Sequence, residues 1–288
     1  MADRDSPEAR YARIVADRLR EGRGKGTGAD YRPWLTVRTK RLNSNTWRPC
    51  GKNGRTYHLL SNIEFAVFSI LDRQDVTTDI REQFPLLPLS ETQRIAAEMG
   101  RAHPRACPFR DKGDAKVDIV MTTDLLVDLA DRPGLPANVA VSVKPAADLE
   151  DTPTKVRNLL AKAEIERRYW AARDTPFLLI TDADLPDVVR ENADLLQRYM
   201  DLKGIELPAS LAQLAEHLLD RIIAAPGLPV RDHGTAFDKA MGLPRGTGTN
   251  IIWHSLATSR WTADPAERLD AARPLFTAAP NAVFRGDD

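Results

Sequence analysis

The chain has 288 residues, 42% of them hydrophobic, and a formal charge of zero. That suffices for one large core or two modest ones, and it argues against a protein that coats nucleic acid along its whole surface. No apolar run is long enough to cross a bilayer and the opening MADRDSPEAR lacks a signal-peptide centre, so a cytoplasmic protein without membrane contact is expected. Cys50 and Cys107 are too few for a disulfide framework, and no C-x-x-C or H-x3–5-H pairing offers a zinc site.

The neutral total hides an uneven distribution: residues 1–60 carry 14 Lys/Arg against 6 Asp/Glu. Such a block suits contact with a polyanion, or is simply a solvated segment. Residues 1–29 read as a basic flexible arm, with a short helix near 9–21 followed by the glycine-rich EGRGKGTG. Order is expected from DYRPWLTV onward, and LNSNTWRPCGKNGRTYHLL alternates enough for one or two strands about a Gly-Lys-Asn-Gly turn. The segment SNIEFAVFSILD, from Ser61 to Asp72, predicts a helix apolar on nearly every side and therefore buried. VTTDIREQFPLLPL follows as an extended run, since Pro85 and Pro88 exclude a helix.

After the polar helix SETQRIAAEMG come two β-rich runs around Pro-Gly-Leu-Pro, which predict a hairpin. TPTKVRNLLAKAEIERRYWAAR puts Val156, Leu159, Leu160, Ala163 and Trp170 on one helical stripe, and DTPFLLITD reads as a strand covered on both faces. This order of elements describes an α/β fold with a mixed sheet flanked by helices. A catalytic unit is expected over residues 30–200. Residues 201–288 read as a small helical or winged-helix-like domain, with Ser210 capping its first helix.

The hairpin is where chemistry can gather. With its turn centred on Gly134 and Leu135, Asp124 faces Lys144, and Ser142 points to the same side. A carboxylate and a lysine at one sheet edge are two of three parts needed to hydrolyse a phosphodiester with Mg²⁺: oxygen ligands hold the cation and an ammonium steadies developing negative charge. Taken alone, the same pair reads more simply as a surface cross-strand ion pair. Glu64, the lone charge of the buried helix, is the candidate second carboxylate. Its alternative is a capping box with Ser61. Arg81, Gln83, His58, Trp253 and Trp261 read as structural.

The segments RPWLTVR, HLLSNIE, DIREQFPLLPL, VMTTDLLV, SVKPA and EIERRYW, in this order over roughly residues 30–200, resemble the TnsA family. These are endonuclease subunits of heteromeric cut-and-paste transposases with a restriction-endonuclease-like fold. IIWHSLATSRWTADP is similar to the family's small winged-helix-like domain. The resemblance implies that Glu64 and Asp124 hold Mg²⁺, with Mn²⁺ able to substitute, and that Lys144 is the catalytic lysine. It further implies cleavage at the 5′ ends of a transposon, with DNA, an integrase-type transposase (TnsB-like) and an AAA+ regulator (TnsC-like) as partners.

One departure stands out. Two residues before the lysine, where related nucleases carry Glu, Asp or Gln, this chain has Ser142, a weak metal ligand; the Val143 backbone carbonyl is expected to coordinate instead. The alternatives are a catalytically weak scaffold joining DNA, transposase and regulator, or a stand-alone restriction or defence nuclease of the same fold.

Overall fold

The protein is described by a computed structural model covering residues 6–38, 46–51, 53–72, 74–107, 116–199, 210–275 and 279–280. In chain order the elements begin with α1 (Pro7–Arg20), α2 (Asn62–Leu71), β1 (Thr77–Pro85), α3 (Leu89–Glu98), β2 (Arg105–Ala106), β3 (Val117–Asp118), β4 (Thr122–Leu129) and β5 (Asn138–Lys144). They continue with α4 (Pro153–Ala171), β6 (Phe177–Thr181), α5 (Asp187–Gln197), α6 (Leu211–Ala224), α7 (Val230–Met241), α8 (Thr247–Ala257), β7 (Trp261–Thr262) and β8 (Ala279–Pro280). Lys52 of the expected Gly-Lys-Asn-Gly turn and the tail NAVFRGDD lie outside the described residues. No described helix is long and apolar enough to cross a membrane.

The chain divides into two compact units, one formed by Met1–Thr39 with Gln74–Asp184 and the other by Lys40–Arg73 with Leu185–Asp288. In the first, the sheet order is β1-β4-β5-β6, with β4 antiparallel to both β1 and β5 and with β6 parallel to β5. A parallel pair needs a long crossover, and α4 supplies it. This is the mixed sheet flanked by helices that the sequence predicts.

Leu126 and Ala140 from the sheet pack with Ile95 and Ala96 of α3 and with Ile165, Tyr169 and Trp170 of α4. Two polar contacts lock α4 in place: the Tyr169 hydroxyl donates to the Leu87 carbonyl (2.8 Å) and Trp170 Nε1 donates to Thr123 Oγ1 (2.7 Å). β6 departs from expectation. It is an edge strand whose Leu178 is exposed, so its apolar run is not covered on both faces.

The expected flexible arm is corrected as well. Pro7 at the first helical position and Ser6, whose Oγ accepts the Ala9 N–H (3.2 Å), start α1. Tyr11 is then buried, its hydroxyl accepting the Val120 N–H (2.8 Å), while the Gly28 N–H reaches the Asp79 carboxylate (2.6 Å). Basic residues flank a docked helix, because its apolar face meets β3 and Leu89.

In the second unit, Trp47 stacks on Phe65 of α2, its Nε1 donating to Asn62 Oδ1 (3.0 Å), and Asn62 in turn donates to Asp194 of α5 (2.8 Å). The Cys50 N–H donates to the Thr258 carbonyl (2.8 Å). These bonds tie residues 46–72 to the C-terminal helices, so the expected boundaries at 30 and 200 differ from the observed ones. α8 is capped by Asp238, which accepts the N–H groups of Gly246 (2.6 Å) and Gly248 (2.7 Å). It packs so tightly on α7 that a Cβ at Gly234 would lie 2.3 Å from Thr249 Oγ1. The region is helical as expected, but α8 is buried from Ile251 to Trp253 and again from Ser255 to Ala257, leaving no broad face for reading bases.

Candidate active site

β4 and β5 pair Leu125 with Val141 and Asp128 with Asn138, two residues out of step with the expected register. The turn closes earlier than assumed, through the Leu135 N–H on the Arg132 carbonyl (3.1 Å) and the Leu129 N–H on Ala137 (2.9 Å). A slip of two keeps every side chain on its face, so the expected grouping survives although Asp124 does not lie directly across from Lys144.

The ladder stops at Leu125, and beyond it Asp124 acts as a side-chain substitute for backbone pairing. Its Oδ2 accepts the Val143 N–H (2.7 Å), the Lys144 ammonium (2.9 Å) and the Ser142 hydroxyl (3.3 Å). Lys144 Nζ also lies on the Val143 carbonyl (2.7 Å) and on Ser142 Oγ (3.2 Å). One cation therefore sits among three oxygens, those of Asp124, Ser142 and Val143. With side chains 14% and 34% exposed, Asp124 and Lys144 remain open to a ligand. Their attraction alone adds little stability.

A third carboxylate stands beside this group, and the sequence reading missed it. Glu166 of α4 is 4% exposed and lines a cleft of about 450 Å³ together with Ser142 and Lys144. Burial, followed by the charge on Asp124, pushes its carboxyl up to about 8, against opposing pulls from the hydroxyls of Thr123 and Ser142 and from the Lys144 ammonium. Its Oε1 is buried without a hydrogen-bond partner. A signal did exist: Glu166 falls on the Leu159, Ala163, Trp170 stripe, and a charge on an apolar stripe is the same anomaly that singled out Glu64.

The raised carboxyl has a measurable consequence. Glu166 loses its proton near the ordinary 4.5 when unfolded but near about 8 when folded, so the native state binds more protons between these values. Its contribution to stability is full below 4.5 and declines as pH rises through about 8. Glu166→Gln, assayed by thermal melting in chelator, is expected to stabilise the protein near pH 8 on the order of a few kcal/mol and to have little effect below about pH 4.5.

Glu64 stands in the second unit, at the start of α2. The Glu64 N–H donates to Ser61 Oγ (3.1 Å), the Ser61 hydroxyl meets Glu64 Oε1 (3.1 Å) and Oε2 accepts the Leu60 N–H (2.9 Å). This is a capping box shifted by one residue, since the carboxylate reaches Leu60 rather than the Ser61 N–H. The structure thus brings Asp124, Ser142, Val143, Lys144 and Glu166 together in one unit and houses Glu64 in the other.

Other singled-out residues are structural. Arg81 pairs with Asp128 (2.5 Å), and the buried Gln83 amide oxygen accepts the Thr122 hydroxyl (3.3 Å). Outside that set, His103 Nε2 is hydrogen-bonded to Thr92 Oγ1 (3.0 Å), and burial lowers its pKa. Neither Cys50 nor Cys107 is disulfide-bonded, and among the described residues no group of three or more His, Cys, Asp or Glu is disposed to hold a metal ion.

Comparison with known proteins gives the same outline. Residues 74–182 match the family model described as TnsA-like endonuclease N terminal, and residues 184–264 match TnsA endonuclease C terminal. The two meet where the first unit ends, at Asp184. The Transposon Tn7 transposition protein TnsA of Escherichia coli is 43% identical over 209 residues, covering 72% of this chain and 71% of that protein. With both halves matched in order and the sheet, crossover helix and carboxylate-lysine edge in place, the chain belongs to the TnsA endonuclease family.

Proposed function

We propose that this protein is the metal-dependent endonuclease subunit of a cut-and-paste transposase, cleaving the 5′ ends of the element with Mg²⁺, or Mn²⁺ in its place. The observation that carries the reading is the oxygen cradle of Asp124, Ser142 and the Val143 carbonyl, held by the Lys144 ammonium beside the unpartnered Oε1 of Glu166. A site that accepts one cation on three oxygens and leaves a buried carboxylate oxygen unsatisfied has the hard donor set that suits Mg²⁺. Asp124, Val143 and Glu166 would hold it, Ser142 adding a neutral oxygen. When bound, a divalent cation offsets charge on the phosphoryl oxygens and makes a water more acidic.

The chain's own groups supply the rest. Asp124 anchors the cradle to the backbone at Val143. Lys144, freed from those oxygens, presents a compact positive charge to the phosphate or the attacking water. The water oxygen bonds to phosphorus and the opposite P–O bond breaks, the leaving oxygen taking up a proton. Glu64 enters this scheme only by giving up its cap, since its oxygens already serve Leu60 and Ser61. Little sequence preference is expected from α8. Placement on DNA would come from an integrase-type transposase and an AAA+ regulator, with the C-terminal unit as a docking platform.

Ser142 favours a second reading, a catalytically weak scaffold. Titrating Mn²⁺ into the full chain and into Glu166→Gln and Glu64→Gln separates the possibilities. Binding lowered roughly tenfold or more by Glu166→Gln and little changed by Glu64→Gln supports the cradle. The reverse pattern makes Glu64 the ligand, and no binding to the unaltered protein rejects a metal site in it.

A further inference from the structure

One face of α4 continues away from the cradle along the wall of the same cleft. Lys155, Asn158, Lys162 and Glu166 recur at helical spacing and line it together. Lys162 stands one turn from Glu166, about 6 Å along the helix axis, and Lys155 lies roughly 10 Å further on. The other cations near the C-terminal end of α4 are occupied: Arg167 and Arg168 pair with Glu164 (both 2.7 Å), and Arg173 with Glu91 (2.7 Å). Lys162 is exposed and makes no ion pair with another described residue.

Lys155 holds Asp151 at 2.8 Å, with its side chain 70% exposed. So open a pair is worth little and can exchange one anion for another. The cleft also contains Asp148 and Asp151. Asp151 is matched by Lys155, and Lys162 with the amide of Asn158 makes the helical wall the positive and donor side of the cleft.

From this geometry, and resting on the nuclease reading above, we propose that Lys162, with Asn158 and Lys155 behind it, forms a phosphate track for the DNA strand being cut. A strand of duplex advances about 3.4 Å per nucleotide, so Lys162 and Lys155 stand roughly two and five nucleotides from Glu166. Such contacts position the backbone and carry no base information. Lys162 is thus a positioning residue, holding the scissile phosphate over the cradle.

The test is fluorescence anisotropy with the full chain and a fluorescein-labelled mixed-sequence DNA duplex, in chelator, over a series of salt concentrations. Lys162→Met is expected to weaken binding roughly three- to tenfold at low salt and to reduce the slope of log affinity against log salt by about one. Lys162→Arg should restore both, Lys162→Glu should weaken binding further, and Lys239→Met, at an exposed position of α7, should change neither. An unchanged affinity and slope in Lys162→Met overturns the track. The nuclease reading fails separately, if cleavage survives Asp124→Ala, whatever the binding curves show.

Discussion

An Asp124→Ala protein is expected to lose transposon-end cleavage by at least about three orders of magnitude, equivalent to roughly 4 kcal/mol of barrier, in an excision assay with the complete set of transposition proteins. The side chain does three things at once: it accepts the Val143 N–H, it holds Lys144 and it offers a carboxylate to a cation. Removing it also leaves a backbone donor unmatched, costing about 1–3 kcal/mol of stability. Asp124→Asn is the control, because an amide oxygen still accepts the Val143 N–H while the negative charge is gone. Equal loss of cleavage in both variants, with Asp124→Asn melting near the unaltered protein, assigns the defect to charge. Persistent 5′ cleavage in either variant removes Asp124 from the chemistry.

Lys144→Met should show two effects of opposite sign. Cleavage should fall on the order of a hundredfold or more, since the charge stabilising the reaction is lost. Mn²⁺ binding, read by calorimetry or by electron paramagnetic resonance, should become tighter, because the ammonium no longer occupies the oxygens of Asp124, Ser142 and Val143. Weakened Mn²⁺ binding would mean that the lysine is not a competitor for the site. Normal excision by Lys144→Met would support the scaffold reading.

What the sequence conveyed about this site was local. The alternating runs around Pro-Gly-Leu-Pro identified β4 and β5, and period-two alternation kept Asp124, Ser142 and Lys144 on one side even though the register was two residues off. Glu166 is hidden in the sequence because it sits in the charge-rich run EIERR, where one carboxylate on the apolar stripe looks like its solvated neighbours. Glu64 was legible equally as a capping residue and as a metal ligand, and its bonds to Leu60 and Ser61 belong to the first role. Its allocation to the second unit was not legible. That depends on Asn62 meeting Asp194 and on Cys50 meeting Thr258, pairings far apart in the chain that no local composition encodes. The same holds for Tyr11 reaching Val120, which turns an expected loose arm into part of a core.

Because Lys40–Arg73 and Leu185–Asp288 build one unit while Gln74–Asp184 of the other lies between them in the chain, the apolar helix carrying Phe65, Val67 and Phe68 leaves the ribosome well before the helices that will cover it. At roughly 5–20 residues per second the wait is on the order of ten seconds, long enough for such a surface to attract chaperones or neighbouring nascent chains. A fragment ending at Asp184 would carry that sticky helix permanently bare, so dissecting this enzyme by simple C-terminal truncation invites aggregation, whereas removing both pieces of the second unit together does not leave that helix behind.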